Sequence, residues 1–284
     1  MESLHIFVTH YTPLTSRKEY ILKQLNTHIG NIKIKDLGCE FDSEKEFYTL
    51  DDFNKNKTVN YVYFVRKYDR DYLTPIINSY FFLNNHDKIH NIRLEHRNVK
   101  DYLTKKVTYQ NFKTKHNHSL QRKGPLSAAQ KSLVLKHYEC YRLIEQYNLK
   151  YALIIEDDCY FKDDFMNKLK IYMPEFPNDW DVYFLNGSTK AGLPKVKGGF
   201  ENYNQFKNIT IKNHPASIFT VSYMVTYNAA IKMRKYIEEY KIWLPIDHEQ
   251  NWLFYILDLK VIWNRDNGKN LTIWGNSGFK SSLK

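Results

Sequence analysis

The chain has 284 residues, of which 43% are hydrophobic, so it carries enough apolar side chains to bury a large core. Its 42 Lys and Arg outnumber its 31 Asp and Glu, and the resulting net charge of +11 favours an anionic partner such as a nucleotide or a phosphorylated substrate. The basic residues are dispersed and match no nucleic-acid-binding motif, which argues against a nucleic acid as that partner.

The sequence predicts a cytoplasmic protein. No segment approaches the roughly 18 consecutive apolar residues of a membrane span, and the first residues are too weakly apolar for a signal peptide. The three cysteines, Cys39, Cys140 and Cys159, lack the spacing of a metal site, so we interpret them as reduced thiols. The composition leaves the oligomeric state open.

The first part of the chain predicts a strand, a helix and a second strand. Residues 4–8 form a short apolar run that is typical of a strand. Ser16 and Glu19 have the spacing of a capping box, and Gly30 is a natural end for the helix that follows. Residues 32–37 then predict the second strand. This β-α-β order suits a nucleotide-binding half, although the sequence contains no glycine-rich phosphate-binding motif.

The clearest helix signal comes later in the chain. Residues 61–65 predict a further strand and residues 73–83 a helix, whereas residues 84–123 are polar, rich in His and Lys, and give no structural or functional assignment. Ser127 then forms a second capping box with Gln130 and begins a helix with one apolar face.

His137 lies on that apolar face. A histidine in this position is either a hydrogen-bonded core residue or a catalytic group, and the sequence leaves both interpretations open.

An acidic triplet follows the next predicted strand. The apolar residues 151–155 are typical of a strand buried on both faces, and they run directly into Glu156, Asp157 and Asp158. Three adjacent carboxylates repel one another, and buried carboxylates are costly unless a positive charge pairs with them. Because open α/β sheets bind ligands at their strand ends, we expect a divalent cation here. A solvated surface turn is the alternative.

The second half of the chain continues the alternation of helices and strands. We predict a helix after Asp163 and Asp164, strands over residues 180–185 and 218–225, and a helix that Asn228 caps and that ends near Tyr240. Residues 189–215 have the composition of a loop. We interpret them as a lid in which Lys190, Lys195 and Lys197 meet phosphate, with a solvated charged loop as the alternative.

A second acidic cluster lies at the start of the last predicted helix. Pro245 begins this helix, and Asp247 and Glu249 lie in its first turn. An Asp at this position either caps the helix or serves a function. The sequence contains no internal repeat and no Pro-rich or Ser-rich linker, so we predict a single α/β domain over residues 1–284.

Several motifs in the chain resemble one known family. A helix with Leu126-Ser127, Lys131-Ser132-Leu133 and Lys136-His137-Tyr138 leads into the strand that ends Glu156-Asp157-Asp158. The stretch Trp180-Asp181-Val182-Tyr183-Phe184-Leu185-Asn186-Gly187 follows, then Ser222-Tyr223-Met224-Val225 with Ala229-Ala230, Pro245-Ile246-Asp247 and the terminal Gly278-Phe279-Lys280-Ser281-Ser282. Together with residues 6–17, these motifs resemble glycosyltransferase family 25, the family of lipooligosaccharide and collagen galactosyltransferases. The chain departs from the family in having Lys136 before His137, where the family has a Ser-His pair.

The resemblance implies a GT-A fold, in which one α/β domain contains a Rossmann-like mixed sheet flanked by helices. Residues 1–158 would then form the nucleotide-sugar-binding half and residues 159–284 the acceptor half. The resemblance also implies a UDP-galactose or UDP-glucose donor and a Mn²⁺ or Mg²⁺ ion held by Asp158 with Asp157 or Glu156. Within the matching residues 6–17, Thr9 is a candidate for cofactor binding. The acceptor is either a glycan or a collagen-type hydroxylysine or galactosylhydroxylysine.

The resemblance implies an inverting reaction as well, which needs a carboxylate to take the proton of the acceptor hydroxyl. Asp247 is the best candidate for this base, Glu249 is its rival, and His137 is a third candidate. Two other classes of protein remain open. One is a catalytically inactive, glycosyltransferase-like partner that binds nucleotides. The other is a metal-dependent nuclease or phosphatase, which needs acids at several strand ends, whereas among the predicted strands only the one at Glu156 ends in an acidic cluster.

Overall fold

The computed structural model describes residues 2–38, 46–83, 126–185, 209–212, 220–264, 271–273 and 279. The strands are β1 (His5–Thr9), β2 (Ile32–Leu37), β3 (Tyr48–Thr49), β4 (Asn60–Val65), β5 (Tyr151–Glu156), β6 (Tyr160–Phe161), β7 (Val182–Phe184), β8 (Ile209–Lys212), β9 (Ser222–Thr226), β10 (Val261–Asn264) and β11 (Thr272–Ile273). The α-helices are α1 (Thr15–His28), α2 (Pro75–Phe81), α3 (Ala128–Gln146), α4 (Phe165–Tyr172), α5 (Tyr227–Tyr240) and α6 (Ile246–Ile256). Short 3₁₀ turns span Arg70–Tyr72 and Met173–Glu175.

A mixed sheet forms the centre of the fold. Within the described residues it has nine strands in the order β3-β2-β4-β1-β5-β9-β7-β10-β8, while β6 and β11 pair separately. Strands β2, β4, β1 and β5 are parallel, and β9 runs antiparallel to both β5 and β7. The carboxyl ends of β1, β4 and β5 therefore meet at one edge. The predicted α/β fold with a Rossmann-like mixed sheet flanked by helices is confirmed.

Alternating side chains of the central strands pack into two hydrophobic cores, one on each face of the sheet. Phe7 of β1 packs on one face of the sheet with apolar residues of α2, α3, α5 and α6. Ile6 and Val8 of the same strand pack on the other face with residues of α1 and α4. Both cores consist of buried apolar side chains, so the central strands, including β1 and β5, are covered on both faces. This rigid centre positions whatever lies at the strand ends.

Several local predictions are confirmed in detail. Ser127 and Gln130 form the predicted capping box: Ser127 Oγ accepts the backbone N–H of Gln130 at 3.2 Å, and Gln130 Oε1 accepts that of Ser127 at 3.0 Å. Gly30 ends the first helical segment in the left-handed conformation, with φ of 66°, and its N–H donates to the carbonyl of Leu25 at 3.0 Å. Strand β2 has the predicted bounds.

Three local predictions were wrong. Ser16 is not a cap, because α1 already begins at Thr15 and its N-cap, Leu14, makes no side-chain hydrogen bond. Thr226 rather than Asn228 caps α5: its extended backbone at the end of β9 lets Oγ1 accept the N–H of Ala229 at 3.3 Å. Residues 209–212 of the predicted lid form β8, which pairs antiparallel with β10. Residues 84–123 and the rest of the predicted lid lie outside the described residues.

Two further observations concern the expected class of protein. None of the helices in the described ranges is long and apolar enough to cross a membrane. Cys140 and Cys159 are buried free thiols, and Cys39 lies outside the described residues.

Candidate functional site

Polar and charged side chains gather where three parallel strands end. Strand β1 ends at Thr9 and β5 ends at Glu156, and the register of the sheet places these two residues side by side. The N–H of His10, the next residue after β1, donates to the carbonyl of Val65 at the end of β4 at 3.2 Å. Asp157 and Asp158 follow Glu156 directly. The structure therefore brings Thr9 and the acidic triplet together at the carboxyl edge, as ligand sites in open α/β sheets require.

Asp157 is fully engaged by protein groups. Its Oδ1 accepts Arg17 Nη1 at 2.8 Å, and its Oδ2 bonds with His10 Nδ1 at 2.8 Å. Burial opposes ionisation of this carboxyl, but the hydrogen bonds from His10 and Arg17 outweigh it and bring the pKa of Asp157 below its ordinary value. Asp157 is thus a charged counter-ion whose two oxygens are both occupied.

Asp158 has one oxygen left over. Its Oδ2 accepts Arg17 Nη1 at 3.2 Å, while its Oδ1 is buried and has no hydrogen-bonding partner among the described residues. Burial and the neighbouring charge of Asp157 raise the pKa of Asp158 above its ordinary value. A buried acceptor without a donor is costly, so this oxygen is the point at which the site lacks positive charge.

Glu156 is in a different state from the two aspartates. Its Oε1 accepts the hydroxyl of Thr220 at 2.5 Å. Burial, together with the charges of Asp158, Asp157 and Asp247, raises the pKa of Glu156 to about 8, and the hydrogen bond from Thr220 partly opposes this shift. The carboxyl is accordingly protonated at neutral pH. The influence of Asp247 also places the beginning of α6 within electrostatic range of the triplet.

Of the three carboxyl groups, that of Asp158 offers a divalent cation an available oxygen. Within the described residues, no group of three or more His, Cys, Asp or Glu side chains is arranged to hold a metal ion by itself. Mg²⁺ and similar ions, however, commonly bind through one or two carboxylates, with substrate phosphates and water as the remaining ligands. The unpartnered Oδ1 of Asp158 fits that role. Asp157 is bound by Arg17 and His10, and Glu156 is bound by Thr220.

Thr9 contacts the neighbouring strand. Its hydroxyl donates to the carbonyl of Ile155 at 3.4 Å, and the residue is buried. Thr9 therefore lies beside the triplet with its side chain directed at the backbone of β5.

Sequence reasoning missed four residues of this site: His10, Arg17, Asp69 and Lys136. Lys136 Nζ donates to the carbonyl of His10 at 2.5 Å and also to Asp69 Oδ1. All four side chains are buried. The one local signal is Arg17, because a basic residue in the first turn of a helix opposes the helix dipole and needs a local reason. The other three are brought together only by the tertiary fold.

The structure gives Asp247 and Glu249 different environments. The side chain of Asp247, the second residue of α6, is 27% exposed, and its Oδ1 accepts the N–H of His248 at 3.0 Å. Glu249 is completely buried, and its Oε2 accepts the backbone N–H groups of Leu244 at 3.0 Å and Trp243 at 3.4 Å. Glu249 thus braces the segment that precedes the helix, whereas Asp247 reaches solvent.

His137 lies in the core between α3 and the sheet. It is fully buried, and its Nδ1 shares a hydrogen bond of 2.8 Å with the hydroxyl of Tyr223 on β9. Burial lowers the pKa of His137 to about 3, so the imidazole is neutral at physiological pH. This environment corresponds to the core interpretation of His137.

One comparison with known proteins identifies a family for this chain. The model of glycosyltransferase family 25, described as an LPS biosynthesis protein, matches residues 4–249. The chain belongs to glycosyltransferase family 25. The match begins at β1 and extends into α6, so it includes both the acidic triplet and Asp247 of this glycosyltransferase. A comparison with curated proteins found no match.

Proposed function

We propose that this glycosyltransferase moves a hexose, galactose or glucose, from a UDP-sugar to a hydroxyl acceptor with the help of Mn²⁺ or Mg²⁺. The observation that carries the proposal is the buried Oδ1 of Asp158, which has no partner in the described part of the chain and lies at the carboxyl edge of the parallel strands. Membership of the family supports glycosyl transfer. The donor and the metal rest on the chemistry of this edge.

The donor diphosphate needs positive charge. Breaking the bond between a sugar and a diphosphate leaves an anionic group, and a divalent cation supplies charge stabilisation for such a leaving group. In this proposal Asp158 holds the cation through Oδ1. Arg17 bonds to both Asp157 and Asp158 at 2.8 and 3.2 Å and keeps the two carboxylates in place. The rest of the coordination comes from phosphate oxygens and water.

The acceptor hydroxyl needs a base. The acceptor oxygen forms a bond to the anomeric carbon of the sugar, the bond from that carbon to the diphosphate oxygen breaks, and the proton of the hydroxyl goes to a carboxylate. Asp247 suits this task best, because its side chain is partly exposed and its charge influences Glu156. Glu249 is occupied by backbone N–H groups, and His137 is enclosed in the core. Inversion at the anomeric carbon is supported by the family resemblance alone.

The positions of these groups support the assignment of donor binding and acceptor binding to different halves of the chain. The acidic triplet ends the half formed by residues 1–158, which we assign to the nucleotide sugar, and Asp247 belongs to residues 159–284, which we assign to the acceptor. The family description favours a lipooligosaccharide-type glycan as the acceptor. A collagen-type hydroxylysine or galactosylhydroxylysine is the second acceptor to test.

A donor and acceptor screen tests the proposal. The purified protein is incubated with UDP-galactose or UDP-glucose in Mn²⁺, Mg²⁺ or EDTA, and the release of UDP is measured with a glycan acceptor, with a hydroxylysine-containing peptide and without acceptor. We expect metal-dependent release that rises with one acceptor, together with a mass increase of one hexose on that acceptor. If the protein binds UDP but forms no UDP from either UDP-sugar, it is an inactive nucleotide-binding partner. Metal-dependent cleavage of phosphoesters would instead identify a nuclease or phosphatase.

A further inference from the structure

Two residues of the candidate site form a buried ion pair. Lys136 of α3 and Asp69, which follows β4, are 3% and 1% exposed, and the ammonium group donates to Asp69 Oδ1. Asp69 is itself anchored in a turn, because its N–H donates to the carbonyl of Arg66 at 3.2 Å and its carbonyl accepts the N–H of Tyr72 at 2.9 Å. The pair therefore links a long helix to a rigid turn at the end of β4.

Both members of this pair hold the segment between β1 and α1. Lys136 Nζ donates to the carbonyl of His10 at 2.5 Å. The second oxygen of Asp69 accepts the N–H of Thr12 at 3.1 Å. The segment from His10 to Leu14 is thus held by two hydrogen bonds, one at His10 and one at Thr12.

This segment carries one of the two groups that bind Asp157 and leads directly into the helix that carries the other. The imidazole of His10 bonds to one oxygen of Asp157 at 2.8 Å, and Arg17, in the first turn of α1, binds the other at 2.8 Å. If the segment shifts, Asp157 loses its partners and competes with Asp158 for Arg17. The geometry points to Lys136 and Asp69 as positioning residues, which hold His10 and Arg17 on Asp157 so that Asp158 Oδ1 stays available to a cation. The part of this inference that concerns the cation rests on the proposed function.

The two buried charges of this pair need an explanation other than stability. A buried ion pair is on average no more stabilising than apolar side chains of similar volume, so its presence alone does not explain the two charged groups. Each member, however, makes a further hydrogen bond to the same segment: Lys136 donates to a carbonyl, and Asp69 accepts an N–H. An apolar pair of the same size offers neither bond.

The test uses a double substitution that leaves no buried charge alone. Lys136→Met with Asp69→Asn removes both charges and nearly preserves the volume. The matched control is Lys18→Met with Asp36→Asn, because Lys18 and Asp36 form another Lys–Asp pair, at 2.7 Å, between α1 and β2. Asp69→Asn alone decides the question if the double variant does not fold; it removes the negative charge that faces Lys136, so we expect it to be less stable than the wild type while it keeps the side-chain volume.

The first readout needs no ligand. Diethyl pyrocarbonate modifies accessible neutral imidazoles, and peptide mass spectrometry reports the modification of His10 separately from that of the other histidines. His10 is 1% exposed, so we expect protection in the wild type and in the control. In the double variant we expect modification at least about tenfold faster. His10 that remains equally protected in the folded double variant overturns the inference.

The second readout is the affinity for Mn²⁺ with UDP, measured by calorimetry in the absence of acceptor. We expect about a tenfold weaker affinity in the double variant and no change in the control, since groups that orient metal ligands typically contribute 10–100-fold to affinity. Unchanged affinity in the double variant overturns the role towards the cation. If the wild type itself binds no UDP while His10 responds as expected, the proposed function fails and the positioning of His10 by Lys136 and Asp69 stands.

Discussion

Replacing Asp157 and Asp158 one at a time by Asn separates two tasks that adjacent carboxylates perform. Asp157 binds His10 and Arg17 through both oxygens, whereas Asp158 shares Arg17 through one oxygen and leaves the other without a partner in the described part of the chain. We therefore expect Asp157→Asn to damage the fold and Asp158→Asn to damage the function. The two substitutions are matched, because they make the same chemical change in neighbouring residues that are 5% and 7% exposed.

The size of the effect follows from the contacts. Removing one member of a buried ion pair typically costs 3–5 kcal/mol. In Asp157→Asn the guanidinium of Arg17 keeps its contact with Asp158, so we expect the lower end, about 3 kcal/mol, which corresponds to a decrease in Tm of about 6–12 °C for a chain of this size. In Asp158→Asn the charge that is lost is one that burial and Asp157 already disfavour, as the raised pKa of Asp158 shows. We expect its Tm to equal or exceed that of the wild type.

Thermal unfolding followed by circular dichroism, in EDTA and without nucleotide, measures both values. A parallel titration with UDP and Mn²⁺ should show that Asp158→Asn loses metal-dependent binding while it stays folded. If Asp157→Asn unfolds at the wild-type temperature while Asp158→Asn unfolds well below it, the two carboxylates have the opposite tasks, and the assignment of Asp158 to the cation is wrong.

Four further predictions concern Asp247, Glu249, His137 and Ser127. Asp247→Asn should lower kcat about a hundredfold, the usual scale for a lost general base, with unchanged affinity for UDP. Glu249→Gln should instead lower the free energy of unfolding by about 1–3 kcal/mol, because it weakens two hydrogen bonds from backbone N–H groups. A kinetic comparison of the two variants that shows the full kcat in Asp247→Asn excludes Asp247 as the base. Because the pKa of His137 is about 3 in the folded protein and 6.5 ordinarily, only the unfolded state takes up its proton between these values, and stability should fall by up to about 1.4 kcal/mol per pH unit as the pH decreases from 6.5 towards 3. Denaturant titrations of His137→Asn should lack this component, and an identical pH dependence in both proteins contradicts the assignment. Ser127→Ala should cost about 1 kcal/mol through loss of the capping box, and an unchanged midpoint of urea unfolding is the contrary result.

The sequence predicted the elements whose signals are local. The capping box of Ser127 and Gln130, the left-handed Gly30 and the apolar run of β5 each depend on residues within a few positions of one another, and each prediction is confirmed. The prediction of a capping box at Ser16 was wrong because the spacing of Ser16 and Glu19 does not reveal that the helix already starts at Thr15.

The candidate site was predicted only in part, since most of its contacts join distant parts of the chain. The acidic triplet was visible because its three residues are consecutive after an apolar strand. The bond between Arg17 and Asp157 spans 140 positions, and the bond between Lys136 and His10 spans 126. No local pattern encodes such pairs. The different environments of Asp247 and Glu249 depend on which side chain turns back towards the chain before α6, and that too follows from packing rather than from spacing.

The most direct test of cation binding by Asp158 measures UDP release as Mn²⁺ is titrated, in the wild type and in Asp158→Asn, with the hexose donor and the acceptor that the screen identifies. If Asp158 holds the cation, release by the wild type rises with Mn²⁺ and stops in EDTA, and Asp158→Asn stays inactive at every Mn²⁺ concentration while remaining folded. Full activity of the wild type in excess EDTA, or wild-type release by Asp158→Asn, contradicts the central claim that Asp158 holds a cation on which transfer depends.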